Sequence, residues 1–475
     1  MDGRILSKCI GVILSLLGPS ALADEIEPRI TLVLKAESVL KEGTIWPGFS
    51  LFARPVILYE TGKRAWVIGH PAPPSDCIPL SSTRYNACRL EGPLAGMAVS
   101  WHLDFPLNGS TCFAMSYQDS DNPMRDIQTL VHEYFHFFQR SWISPAEYHS
   151  EYPMDDPENI ALAVLEQRAL ARALLAPNPR QTGEWARMFV AIRKHRIELS
   201  GGKTQNVEDR EERSEGTADY VENRTVLSPI LQGDGENAII RGTADRLKEN
   251  LSQKDMGKHR GYFTGSAQCI LLDRMNYPFW KKETADGTPI FTIMAKAFPV
   301  SPRESGPLLR KAKSELCGYE SLLDDYRQSF TRQEEEKTNA LKKYESTPGI
   351  HLTVMSFQGR SYTSLASSGG VLLLEKGRKL HPDVNEYKDQ SDTNKYRLVI
   401  RARAMLEDNG YQCFISERSK VWLDGQPSQW EAGEFKFTSV KITEPGFELE
   451  AIIPGVFKYD GKALTISWTN TEEGK

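Results

Sequence analysis

The segment TLVHEYFHFFQR, residues 129–140, constrains the fold of this chain more than any other segment. All of its residues from 130 to 138 are apolar or aromatic, except for His132, Glu133 and His136. A run of this kind predicts a helix that lies inside a core, and residues four apart on a helix share one face. Because buried imidazoles and carboxylates need partners, the segment predicts a polar site within apolar surroundings.

The two histidines have the spacing of metal ligands. From one helical face, His132 and His136 can reach the same ion at the roughly 2.0–2.1 Å that zinc–nitrogen bonds require. Glu133 lies about 100° further round the helix, where it can take a proton from zinc-bound water without binding the ion. Ferrous iron also accepts two histidines and a carboxylate, but the HExxH spacing with Glu133 favours zinc.

A catalytic zinc site has three protein ligands and one open position. A third histidine does not follow His136, and Gln139 occupies the place of the glycine in the longer motif HExxHxxGxxH. The third ligand is therefore expected to be a glutamate on a later helix. The candidates are Glu158, Glu166 and Glu215.

Glu215 is the candidate that its neighbours favour. Gly216 permits a close approach of the backbone, and Asp219 follows one helical turn later on the same face. Ligand histidines usually donate their second N–H to a carboxylate. We therefore expect Asp219 to hold a ligand histidine while Glu215 binds the metal.

The motifs HEYFHFFQ and EGTADYVE together resemble the gluzincin group of zinc metallopeptidases, over roughly residues 110 to 280. The resemblance implies a helical, zincin-like core, a peptide or protein substrate, and Glu215 as the zinc ligand from the later helix. It also implies that Glu133 is the general base that passes its proton to the leaving amine. The interval of 79 residues from His136 to Glu215 is longer than in many gluzincins, which leaves Glu166 as an alternative ligand.

The same resemblance implies a tyrosine or histidine that stabilises the oxyanion. We favour Tyr262, which precedes a pair of small residues at the start of a predicted helix; the alternatives are His259, Tyr220 and His149. The strand at residues 112–120 is expected to form the edge of a sheet beside the metal. Such an edge can pair with an extended substrate backbone.

The N-terminus has the pattern of a secretory signal peptide at residues 1–23. Arg4 and Lys8 precede a short apolar run, and the small residues Ala21 and Ala23 mark a cleavage site. We therefore expect an extracytoplasmic protein, periplasmic or secreted, with no integral membrane span after cleavage. The net charge of −5 and the absence of a basic block argue against nucleic acid as a partner.

Six cysteines follow the predicted signal peptide, and an exported chain permits disulfides. Cys77 and Cys88 bracket a short polar loop and are the expected pair. No two cysteines form a CxxC motif, which argues against a zinc site made of thiolates.

The predicted fold is α+β. An N-terminal, mostly antiparallel β region (24–120, read as strands from about residue 28) precedes a helical metallopeptidase core (121–345). After a break at Thr347-Pro348-Gly349, residues 350–475 are expected to form a β-sandwich-like module.

Two other functions are compatible with these patterns. The chain could hydrolyse a non-peptide amide or ester with the same zinc chemistry. It could instead be a non-catalytic binding protein that acts through the C-terminal β module, whose partner the sequence does not identify. Glu133 argues against the second alternative, because a structural metal site does not need a general base.

Overall fold

The computed structural model describes residues 28–41, 45–80, 85–97, 100–117, 123–143, 156–231, 235–248, 256, 259–357, 361–391, 393 and 395–469. The predicted signal peptide lies outside the described residues. The chain divides into two compact units, residues 1–326 and 327–475. In the described ranges, no helix has both the length and the apolar character needed to cross a membrane.

The first unit combines a β-sheet with many helices. Its strands are β1 (Val56–Glu60), β2 (Arg64–Ile68), β3 (Ile78–Pro79), β4 (Ala87–Glu91), β5 (Trp101–Leu107) and β6 (Ser110–Tyr117). Its helices are α1 (Pro28–Lys41), α2 (Pro123–Gln139), α3 (Pro157–Leu175), α4 (Pro179–Leu199), α5 (Lys203–Glu211), α6 (Thr217–Val226), α7 (Gly235–Arg246), α8 (Arg260–Arg274), α9 (Trp280–Ala285), α10 (Ile290–Ala297) and α11 (Pro302–Glu315). A π-turn, Glu212–Gly216, joins α5 to α6.

The six strands form one sheet in the order β3-β4-β2-β1-β6-β5. All neighbouring strands are antiparallel except β1 and β6, which are parallel. Strands β1 and β2 form a hairpin, and Gly62 in the turn has a φ of 75°, a conformation that glycine adopts without strain. Cys77 and Cys88 form the expected disulfide beside this sheet.

The prediction of strands from residue 28 onwards is wrong for the first segment, which forms helix α1. Ile30, Val33, Ala36 and Leu40 are all buried, with exposed fractions of 0–1%. Their spacing of three and four residues is that of a helical face. This helical spacing, rather than the alternation of a strand, accounts for α1.

The helical core follows the predicted α+β class. Helix α3 begins where Asp156 accepts hydrogen bonds from the backbone N–H groups of Glu158 and Asn159, at 2.9 and 3.2 Å. Pro157 occupies the first turn, where its missing N–H has no cost. Helices α3, α4, α6 and α8 pack together and bury the apolar side chains that face each other.

The second unit is an all-β region that follows the end of helix α12 (Tyr319–Glu345), a helix that spans the boundary between the units. Its strands are β7 (Ile350–Met355), β8 (Ser361–Ser367), β9 (Leu372–Leu373), β10 (Lys379–Ser391), β11 (Tyr396–Ile400), β12 (Arg403–Glu407), β13 (Gly410–Ile415), β14 (Lys420–Leu423), β15 (Gln426–Ser428), β16 (Gly433–Phe437), β17 (Val440–Glu444), β18 (Phe447–Ala451), β19 (Gly455–Tyr459) and β20 (Ala463–Trp468).

These strands belong to one 14-stranded sheet. Strands β11 and β12 pair with successive parts of the long strand β10, and the sheet diverges from there into two arms. Side chains from both arms share one apolar core. Trp430, which follows β15 at one end of the sheet, contacts Tyr459 of β19 near the other end, with 5.3 Å between ring centroids. The sheet therefore folds over itself around that core.

Candidate metal centre

Helix α2 carries HExxH and is fixed by its apolar face. Leu130, Val131 and Phe135 are fully buried, which orients the helix so that the opposite face meets α6. His132 lies on this second face and is buried, and His136 is partly buried. The buried apolar face of α2 therefore holds the two imidazoles in place.

Three side-chain atoms converge at this face. The Nε2 atoms of His132 and His136 are 3.1 Å apart, and the Oε2 atom of Glu215 lies 3.2 and 3.1 Å from them. A tetrahedral zinc ion with bonds of about 2.05 Å separates its ligand atoms by about 3.3 Å. The three atoms thus have the spacing of a zinc ligand set, and the structure brings Glu215 to the histidines as the sequence predicted.

The outer nitrogens of both imidazoles have acceptors as partners. Nδ1 of His132 is 2.9 Å from Oε2 of Glu222, and Nδ1 of His136 is 2.7 Å from Oε1 of Gln139. The amide of Gln139 is oriented by its own donations to Ser214 O and Thr217 Oγ1, at 2.8 and 2.7 Å. Each Nδ1 therefore carries a hydrogen, and each Nε2 is the nitrogen left for a metal.

The charges around His132 favour a cation. Burial opposes its protonation, but hydrogen bonds with Glu215 and Glu222 outweigh burial and raise the pKa of His132 to about 10. One proton can satisfy only one of the three short contacts among the Nε2 and Oε2 atoms. A divalent metal ion satisfies all three at once, so the donor set fits zinc by geometry and by charge.

The π-turn presents Glu215. Gly216 packs so closely on helix α8 that a Cβ atom there would lie 2.6 Å from Cα of Gly265 and 2.9 Å from O of Gly261. The close approach expected of Gly216 is therefore confirmed. A π-turn has one more residue than an α-helical turn, so Glu215 is displaced from the helical path towards α2.

The position predicted for Asp219 is wrong. Both of its oxygens pair with Arg246, at 2.6 and 2.7 Å, and it also accepts a hydrogen bond from Asn223. Glu222 contacts His132 instead. The prediction overlooked Glu222, which lies seven residues after Glu215, and residues two turns apart on a helix share one face.

Two further side chains border the three ligand atoms. Glu133 is partly buried, and burial raises its pKa while the two histidines oppose this rise. Tyr262 stacks on the ring of His132, with centroids 5.5 Å apart and ring planes 6° apart. Burial, followed by the charge of Glu215, raises the pKa of its hydroxyl. The structure thus brings both predicted catalytic side chains to the site.

The other candidates for the oxyanion donor lie in different surroundings. Tyr220 is fully buried and donates its hydroxyl hydrogen to Asp273. His259 is exposed and lies behind Tyr262, with 6.4 Å between ring centroids. His149 is outside the described residues.

The other two candidates for the third ligand, Glu166 and Glu158, pair with side chains outside the metal centre. Glu166 is fully buried in a cluster of charges, where it pairs with Arg193, Arg196 and Arg260. Glu158 accepts a hydrogen bond from Tyr319 at 2.8 Å. Neither carboxylate belongs to the group around the histidines.

The prediction that residues 112–120 form the sheet edge is wrong. Strand β6 lies between β1 and β5, and β5 is the last strand on this side of the sheet among the described residues. Asp104 on β5 pairs with Arg140 at the end of helix α2, so this edge lies beside the helix that carries the histidines. Residues 118–120 are outside the described part of the chain.

Comparison of the chain with protein-family models, curated proteins and solved structures finds no match in any of the three. The case for a metal centre therefore depends on the geometry of the residues themselves.

Proposed function

We propose that this chain is an exported zinc metallopeptidase of the gluzincin type. The observation that carries the proposal is the convergence of His132 Nε2, His136 Nε2 and Glu215 Oε2, with the outer nitrogen of each histidine held by an acceptor. A structural site would use a fourth protein ligand. Among the described residues three side chains form the ligand set, which would leave one position for water or substrate.

His132, His136 and Glu215 would hold the ion. When bound, zinc would act as a Lewis acid that polarises a carbonyl group and lowers the pKa of water. Glu133 follows His132 on the same helix and interacts electrostatically with both histidines and Glu215. We assign to Glu133 the role of general base. It would accept a proton from the attacking water and deliver this proton to the leaving amine.

We assign to Tyr262 the role of hydrogen-bond donor to the oxyanion. Its ring stacks on His132, and the charge of Glu215 acts on its hydroxyl, so this side chain borders the place where a substrate carbonyl would meet the ligand set. A donor positioned where charge develops stabilises the transition state more than the ground state. The edge of β5, which no other described strand covers, is the candidate surface for the peptide backbone.

The test is a measurement of metal content and peptide hydrolysis on the same preparations. Wild type should contain one zinc per chain and cleave members of a fluorogenic peptide library. Glu215→Ala should lose both properties, whereas Glu133→Gln should keep the zinc and lose hydrolysis. A wild-type protein without stoichiometric zinc would contradict the proposal.

Two outcomes would select the alternatives. Zinc binding with no peptide cleavage, but with Glu133-dependent cleavage of ester or amide substrates, would indicate a non-peptide hydrolase. Zinc binding with no hydrolysis of any kind would indicate a binding protein. Tyr262→Phe distinguishes a catalytic from a packing role, because it should lower kcat and leave zinc content unchanged.

A further inference from the structure

A second pocket lies in the first unit, lined by residues that take no part in the metal centre. Its walls come from the last turns of α3, the first turns of α4, the turn after α11 and Lys248 beyond α7, and its volume is about 810 Å³. This size is typical of sites for small organic molecules.

The walls of this pocket are mostly apolar. Leu316 and Ala176 are buried, and Trp185 is partly buried. Leu175 is a large apolar side chain that is 45% exposed, so its surface is available for contact with a ligand. These groups would bury the apolar body of a ligand.

The polar groups of the pocket are predominantly cationic. Arg168, Arg172 and Lys248 line it, and none of its described lining residues is acidic. The guanidinium of Arg172 lies over the ring of Trp185, 5.0 Å from the centroid. Lys248 also pairs with Asp245 at 2.7 Å, so Arg172 is the more favourable partner for an anion.

The negative partial charge at the helix C-termini beside the pocket does not cancel the positive charge of its arginine and lysine side chains. The C-terminus of a helix carries negative partial charge on its carbonyl groups. Arg274 donates to Leu174 O and Ala176 O at the end of α3. Arg168 donates to Leu316 O and Cys317 O just beyond α11. Guanidinium groups thus cover the carbonyls that would otherwise repel an anion.

We propose that this pocket binds a small organic anion with an apolar body, such as a medium-chain or aryl carboxylate. The apolar walls bury the body of the ligand. The carboxylate meets Arg172, whose planar guanidinium suits bidentate recognition of carboxylates. The proposal does not depend on the metal centre.

The first experiment is a calorimetric titration of the full chain with decanoate, at concentrations where decanoate is monomeric. One saturable site is expected, and decanamide should bind at least about tenfold more weakly because it lacks the charge. Removal of metal with a chelator should leave the titration unchanged. Equal binding of decanoate and decanamide would overturn the proposal, as would the absence of saturable binding.

Matched variants locate the site. Arg172→Met keeps most of the side-chain volume and should weaken decanoate binding by about tenfold or more. Arg180→Met is the control, since Arg180 is an exposed arginine on α4 that pairs with Glu184 outside the pocket. Equal effects of the two variants would show that the anion binds by surface charge alone, which contradicts the proposal.

Cys317 provides an independent readout. It is exposed at the rim of the pocket, while the other free cysteines among the described residues, Cys112, Cys269 and Cys413, are buried. Alkylation of Cys317 by N-ethylmaleimide, followed by peptide mass spectrometry, should slow at saturating decanoate. The same concentration should not slow it in Arg172→Met, and an unchanged rate in wild type would contradict binding at this pocket.

Discussion

Glu222 Oε2 lies 2.9 Å from Nδ1 of His132, and this contact joins helix α6 to the histidine helix α2. Carboxylates in this position fix the tautomer and orientation of a ligand histidine, and their loss typically lowers metal affinity by about 10–100-fold. We expect Glu222→Ala to weaken zinc binding by this amount. Competition with a chromophoric chelator measures the affinity.

Glu236→Ala is the matched control for this prediction. Glu236 is a half-exposed glutamate on the next helix that pairs with Arg224, and it does not contact the histidines. Its removal should leave zinc affinity unchanged. If Glu222→Ala bound zinc as tightly as wild type, the contact would have no role in orienting His132.

The packing of the π-turn on helix α8 leads to a second prediction. A Cβ atom on Gly265 would lie 2.7 Å from both Glu212 O and Gly216 Cα, and backbone atoms cannot move aside as a flexible side chain can. Gly265→Ala should therefore reduce the free energy of unfolding by about 1–3 kcal/mol. Urea denaturation measures the change.

Gly242→Ala shows what the same substitution does without the close contact. Gly242 lies within helix α7 and has open space around its Cα. Alanine there should stabilise the protein by about 0.5–1 kcal/mol, because glycine is unfavourable inside a helix. Equal effects at both glycines would mean that the π-turn is not tightly packed.

The buried charge cluster gives a third prediction, which also tests the identity of the third zinc ligand. Glu166→Ala leaves Arg193, Arg196 and Arg260 with one partner fewer in a fully buried environment. The free energy of unfolding should fall by about 3–5 kcal/mol, while the protein that remains folded keeps its zinc.

Glu184→Ala is the exposed counterpart. Its partner Arg180 is on the surface, so the loss should be about 1 kcal/mol or less. If Glu166→Ala instead removed the zinc and left stability near that of wild type, Glu166 and not Glu215 would be the third ligand.

The parts of the site that the sequence predicted depend on short-range spacing. His132, Glu133 and His136 lie on one helix, and helical periodicity alone places them together. Glu215 followed from its neighbour Gly216, and the predicted close approach at that glycine is present. The α+β class and the Cys77–Cys88 pair likewise needed only local patterns.

The parts that were missed differ in whether helical periodicity could have revealed them. Asp219 pairs with Arg246, whereas Glu222, two helical turns after Glu215, lies beside His132. Gln139 could have been found, because it lies three residues after His136 on the same face of α2. The edge position of β5 results from the order of strands in the sheet, which the order along the chain does not reveal.

The last prediction concerns pH and Asp209 on helix α5. Burial, followed by the charge of Glu212, raises the pKa of Asp209 to about 7, although Arg193 opposes the rise. Its Oδ1 atom is buried without a hydrogen-bond partner in the described structure. The folded state therefore holds this proton more tightly than the unfolded state, where the carboxyl has its usual pKa of 3.8.

The sign of the effect follows from this difference. As pH rises from about 4 to about 7, the unfolded chain releases the proton first, so Asp209 lowers the stability progressively across that range. Asp209→Asn cannot ionise. Relative to wild type, it should gain about 1–3 kcal/mol more stability at about pH 8 than at about pH 4, an amount reduced from the full shift because the side chain is partly exposed. Urea denaturation of both proteins at the two pH values measures the difference, and a gain that is equal at both would show that Asp209 does not titrate in this range.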